Sequence, residues 1–273
     1  MSEVRLVSCA GAPRDLGFDQ GLACRDEIRA DLGAFDRAWR RRWLRRALGP
    51  SLVGYDARLA RDLARYFPHL DERIAGLADG AARPRDQLLA LTALEVFTGI
   101  CALARFDASA DAFELGWSHR VPPTGFVART TRPDGGYANL SITRPGAVFA
   151  LAGVNEHGLV GVVQAGQWAK MGDRWHAPGS LLLEQCIERL DTVEKALDWC
   201  ERRPGGGTGL LLFGDASGAR AAIEIDGEKR SRISPPIAKL DELEGPRIRV
   251  EIATRTVSVS GGGISAARFE LGI

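Results

Sequence analysis

The sequence predicts an α+β fold in a single domain, and three features of its 273 residues predict it. Apolar residues recur at helical spacing from residue 13 to about 97. From about Cys101 that period gives way to short apolar runs broken by turn residues. Two of those runs, Ala147 to Val154 and Leu159 to Gln164, are almost continuously apolar, as strands covered on both faces are. Helices are therefore expected on both faces of a layered β-core.

In the first third, Leu22, Ile28, Leu32 and Phe35 recur at helical spacing, as do Leu59, Leu63 and Phe67, and then Ile74, Leu77, Leu88, Leu91 and Leu94. Phe126 to Thr131 and Tyr137 to Thr143 flank Pro-Asp-Gly-Gly at 133 to 136, which predicts a hairpin. The apolar pair 147–154 and 159–164 follows, joined by Asn-Glu-His-Gly. Two helices are expected next, Ser180 to Leu190 and Thr192 to Arg202. The second has Asp191 as its N-cap and Glu194 three residues on, a capping-box arrangement. Strands resume with Leu210 to Phe213, an Asp-Ala-Ser-Gly turn and Ala219 to Ile225, and continue to the C-terminus. The chain thus divides into a mainly helical segment, 1–100, and a strand-rich core with a helix pair, 101–273.

Hydrophobic residues make up 45% of the chain and charged ones 26%, which suits a globular protein with a sizeable core. A formal net charge of +1 provides no unbalanced basic field, so neither nucleic acid nor an acidic membrane is expected as a partner. The five cysteines show neither a disulfide framework nor a metal spacing, which suggests reduced thiols in a cytoplasm. Neither a signal peptide nor a membrane-spanning apolar run is evident.

Five arginines between Arg40 and Arg46 surround Trp43, a pattern that suits the solvated face of a helix better than a phosphate grip. The glycines at 205 to 209 run from helix into strand, opposite to a phosphate loop, and read as a connection. His119, His157 and His176 have no metal-ligand spacing, and no Gly-x-Ser-x-Gly elbow is present. Cys9, Cys24, Cys186 and Cys200 sit in apolar settings where cysteine behaves as a small hydrophobe. Cys101 differs, because it stands at the junction of the helical third and the strand-rich remainder.

Three stretches in order resemble the acyl-CoA:6-aminopenicillanic acid acyltransferase family, the C45-type N-terminal-nucleophile hydrolases. The first is Gly11-Ala-Pro-Arg-Asp-Leu-Gly17-Phe-Asp-Gln-Gly21, with Asp15 where the family usually has Glu. The second is Gly153-Val-Asn155-Glu-His-Gly158-Leu, similar to the family's Gly-Met-Asn-Glu-x-Gly-Leu. The third is the helix pair followed by Leu-Leu-Leu-Phe-Gly-Asp215-Ala-Ser-Gly218 and a strand running to Glu224.

The resemblance implies a four-layer αββα sandwich in which self-cleavage exposes a cysteine as a new N-terminus. By position this is Cys101, so residues 1–100 become a pro-segment or an α chain and residues 101–273 a β chain. A thiol with a pKa of about 8.5 needs a base, and a freed α-amine with a pKa of about 7.7 to 8.0 on the same residue supplies one. Gln164 stands where the family places an oxyanion-binding Asn, nine residues beyond Asn155. Gly116-Trp117-Ser118-His119 replaces the family's Arg-Asn-x-Asp-like segment, which leaves His119 in place of its carboxylate. The implied activity is cysteine-dependent amide hydrolysis or acyl transfer on a small amide or acyl substrate, with no metal or organic cofactor. The alternative is a member that has lost catalysis and keeps the fold as a binding or scaffold protein.

Overall fold

The computed structural model describes residues 3–39, 55–98, 102–107, 111–117, 125–165, 178–203, 208–236, 245–262 and 264–271. Two stacked β-sheets form its centre. The larger has eight strands in the order β1-β4-β5-β6-β7-β8-β9-β10. These are β1 (Arg5–Gly11), β4 (Val127–Pro133), β5 (Asn139–Thr143), β6 (Ala152–Asn155), β7 (Val160–Ala165), β8 (Thr208–Gly214), β9 (Arg220–Asp226) and β10 (Lys229–Ile233). The smaller has the order β13-β12-β11-β3-β2, from β2 (Ala102–Asp107), β3 (Ala112–Trp117), β11 (Pro246–Glu251), β12 (Thr256–Gly261) and β13 (Ile264–Glu270). All neighbours pair antiparallel except β1 with β4, which run parallel, Arg5 opposite Val127 and Gly11 opposite Pro133.

The helices gather on one face of the larger sheet. They are α1 (Pro13–Ala23), α2 (Arg25–Trp39), α3 (Tyr55–Tyr66), α4 (Pro68–Ala81), α5 (Arg85–Thr98), α6 (Gly179–Arg189) and α7 (Val193–Arg202). Helix α1 packs on β1 and β4, α6 on β6 to β8, and α7 on β8 to β10. On the opposite face, β2 and β3 lie over β7 while β11 and β12 lie over β6. The continuously apolar strands are thus covered on both sides, by helices on one face and by a second sheet on the other.

Of the helices expected on both faces of the core, the described ones lie on the face of the larger sheet. Among the described residues no helix covers the outer face of the smaller sheet, so the arrangement seen is αββ. The reason is in the strand pattern: Arg105, Glu114, Arg249, Ser258 and Arg268 follow one another across that sheet in direct register. Arg249 pairs with Glu114 at 2.7 Å and Arg268 with Glu251 at 3.0 Å. An outward face of this composition offers no apolar stripe to a helix.

Helices α1 and α4 touch backbone to backbone. A Cβ on Gly17 would lie 1.9 Å from the carbonyl oxygen of Arg73, and one on Gly76 would lie 1.9 Å from that of Arg14. Gly21 and Gly80 repeat the contact one turn on, against Leu77 and Phe18. Each helical glycine costs about 1 kcal/mol against alanine in propensity, and close packing of the two helices offsets that cost.

Two expectations are corrected. Ala147 to Leu151 is buried but is not strand; pairing begins only at Ala152. A buried loop must have its carbonyls met by side chains, and here they are. Gln20 Nε2 donates to the carbonyls of Pro145 at 3.0 Å and Ala147 at 2.8 Å, and Arg129 Nη1 donates to that of Val148 at 3.3 Å. The N-cap of α7 is Thr192 and not Asp191: Thr192 Oγ1 accepts from Lys195 N at 3.4 Å, and Asp191 pairs instead with Lys195 Nζ at 2.8 Å.

The same Gln20 and Arg129 belong to a buried polar network between the helical layer and the larger sheet. Arg129 Nη2 meets both oxygens of Glu184, at 2.6 and 2.7 Å, and Gln20 Oε1 accepts from Arg129 Nη1 at 3.0 Å. Arg73 reaches Glu184 and Glu188, each at 2.6 Å. Burial pulls the Arg73 pKa down, but the carboxylates of Glu188 and Glu184 outweigh it and hold the guanidinium above its ordinary value. No strand or helix period signals these partnerships.

Candidate active site

Gln164 lies near the end of β7 on the face that meets the smaller sheet. Its Oε1 accepts from the backbone N–H of Ala104 at 2.8 Å. Ala104 is on the edge strand β2, so this bond satisfies an edge donor that would otherwise lack a ladder partner. A backbone N–H can only donate, so the amide oxygen must face Ala104, and the NH₂ is the end that no described residue engages. That end is a hydrogen-bond donor held on a rigid strand, as oxyanion stabilisation requires.

Cys101 and His119, the other two predicted catalytic residues, lie outside the described residues, as do His176, the Arg40 to Arg46 cluster and glycines 205 to 207. What is described is the strand that begins one residue after Cys101. Along β2, Phe106 packs on Phe113 toward the core, whereas Leu103 is 43% exposed.

The motif residues after the hairpin are tied to helix ends. Asn155 Nδ2 donates to the carbonyls of Ile187 at 2.9 Å and Leu190 at 2.7 Å, at the C-terminal end of α6, while its Oδ1 accepts from His157 N and Leu159 N. Gly158 closes that turn with φ of +85°, a conformation that favours glycine. Asp215 works on the neighbouring helix: its Oδ2 accepts from Val193 N at 2.8 Å at the start of α7, and its Oδ1 accepts from Ser217 N at 2.9 Å. Burial raises the Asp215 pKa, but the Ser217 hydroxyl and the backbone N–H donors outweigh it and hold the carboxyl below its usual range. Gly11 ends β1, where its carbonyl accepts from Asp134 N at 2.9 Å and links the first motif to the hairpin turn. Gly17 and Gly21 are the contact points of α1 described above.

The four described cysteines are free and buried. Burial pushes the Cys9 thiol up, Cys24 up to about 11, and Cys186 well above its ordinary value. Those three have no thiolate character near neutral pH. Burial, aided by Arg189 and Arg73, pulls His69 down to about 4, so that it is neutral beside its partner Gln185. Among the described residues no three His, Cys, Asp or Glu side chains gather as a metal site, and no helix is long and apolar enough to cross a membrane.

No family model matches the chain, and no curated protein matches its sequence. Among solved structures it is similar to penicillin V acylase from Agrobacterium tumefaciens, with 12% identity and a TM-score of 0.38 over 62% of this chain and 84% of that one. It is also similar to a variant of conjugated bile acid hydrolase from Clostridium perfringens, with 16% identity and a TM-score of 0.32 over 50% of this chain and 51% of that one.

Proposed function

We propose that this chain is a cysteine-dependent amidohydrolase or acyltransferase of the N-terminal-nucleophile type, acting on linear amide or acyl thioester bonds. The observation that carries the reading is the amide of Gln164, which is fixed to Ala104, three residues along the chain from Cys101, with a donor end that no described residue engages. Cleavage before Cys101 would free an α-amine. That amine takes the thiol proton as Sγ attacks the carbonyl carbon, and Gln164 Nε2 donates to the resulting oxyanion. The amine then passes its proton to the leaving nitrogen, and water or an acceptor amine resolves the acyl thioester. The reading includes the αββα sandwich that the resemblance implies.

A second reading, a binding or scaffold protein without catalysis, is favoured by the segment Gly116-Trp117-Ser118-His119, which lacks the carboxylate of the family's Arg-Asn-x-Asp-like segment. Intact mass and N-terminal sequencing of the purified chain, beside Cys101→Ala, separate the two. Scission before residue 101 in the wild type alone is the expected result. Wild-type protein that stays whole and whose Cys101 labels no faster than an ordinary buried thiol would overturn the catalytic reading.

A further inference from the structure

The face of the larger sheet that carries Gln164 also carries an unassigned carboxylate. In register, Gln164 stands opposite Leu210 on β8, and Leu210 opposite Glu224 on β9. Residues directly opposite in an antiparallel ladder point to the same face, so the three side chains form one row. The other face is independently fixed, because a Cβ on Gly179 of α6 would sit 3.6 Å from Val163 and 3.7 Å from Ile225. Val163 and Ile225 therefore face the helices, and their neighbours Gln164 and Glu224 face away from them.

The row leads outward from beneath the smaller sheet. Its edge strand β2 reaches over β7 and β8. Leu210 is half-buried, and Glu224, one strand further, is exposed. Glu224 makes no ion pair with any described residue, in contrast to Glu114, Glu184, Glu188 and Glu251. An amide donor, an apolar floor and an unpaired carboxylate thus follow at strand spacing, with about 9–10 Å between the first and last Cα atoms.

We propose that this row is a substrate subsite selecting an amide or acyl compound with a terminal ammonium group. The carbonyl lies at Gln164 Nε2, a short methylene chain lies across Leu210, and the ammonium pairs with Glu224. The inference rests on the amide-site reading above for its first contact, and it extends that reading by naming the substrate class. Apolar methylenes over Leu210 contribute burial, while the charge pair at an open, solvated position contributes selectivity more than affinity.

The test uses the full-length Cys101→Ala chain, so that binding is read without turnover. N-acetylcadaverine is titrated calorimetrically beside N-pentylacetamide, its neutral counterpart of similar length. The cationic probe is expected to bind about fivefold tighter. That preference should shrink as salt is raised and disappear in the Cys101→Ala, Glu224→Gln double variant, where the neutral probe binds as before. Equal binding of the two probes, binding of neither, or a preference that survives Glu224→Gln overturns the subsite. Failure of the catalytic reading looks different: wild type that stays whole and labels slowly, yet shows the Glu224-dependent preference, loses the enzyme and keeps the site.

Discussion

The helix-covered face of the larger sheet and the outer face of the smaller one are both laced with arginine–carboxylate pairs, but the two sets sit in different media. Arg73 and Arg129 with Glu184 are at most 2% exposed, both pairs are short, and Arg129 meets both oxygens of Glu184. Arg268 and Glu251 on the outer face are 59% and 28% exposed. In the first region water is gone and each charge depends on its partner. In the second, water and salt compete for both ends. The same residue types therefore bind the helical segment to the sheet in one place and merely keep a sheet face soluble in the other.

Removing one partner should break this comparison most visibly inside. Glu184→Gln leaves Arg129 charged, buried and without its bidentate partner, and is expected to cost about 3–5 kcal/mol. Urea unfolding reads this as a lower midpoint at an unchanged m-value. A loss below about 1 kcal/mol would mean that the pocket is wet enough to behave like the outer face.

The next largest effect should come from the helix contact on that same covered face. Gly76→Ala sets a methyl group against the Arg14 carbonyl, which is backbone and cannot rotate away. The helices must separate, at a cost of about 1–3 kcal/mol despite alanine's better helix propensity. A melting temperature equal to or above that of the wild type would refute the close approach. Smallest is Arg268→Ala on the outer face, expected to cost less than about 1 kcal/mol and to lose even that in molar salt. Comparing its urea midpoint at low and high salt checks this, since a salt-independent loss would show that the outer ladder is shielded after all.

Much of the local structure was legible. The hairpin of β4 and β5, the α6–α7 pair and the turn at Asp215 all carry their signals within a dozen residues, where periodicity and turn chemistry act. The errors have a common cause. Ala147 to Leu151 reads as strand because it is apolar, yet its carbonyls are met by Gln20, Thr143 and Arg129 from distant elements. The strand β1 gave no warning because its partner β4 begins more than a hundred residues later. Of the candidate site, Gln164 is singled out by its motif alone, whereas its bond to Ala104 and its alignment with Glu224 follow from pairing that no local window contains.

By itself the sequence determined which segments are helix or strand, where most of them stop, and that Cys101 stands at their junction, because these depend on neighbours three to four residues apart or on alternation along a strand. Only the tertiary structure decided which sheet face receives helices and which carries charge, that Asn155 and Asp215 serve the ends of two different helices, and that Arg73 and Arg129 share Glu184. Those outcomes depend on which surfaces exclude water from one another. That is a property of the packed chain as a whole, and no single element specifies it.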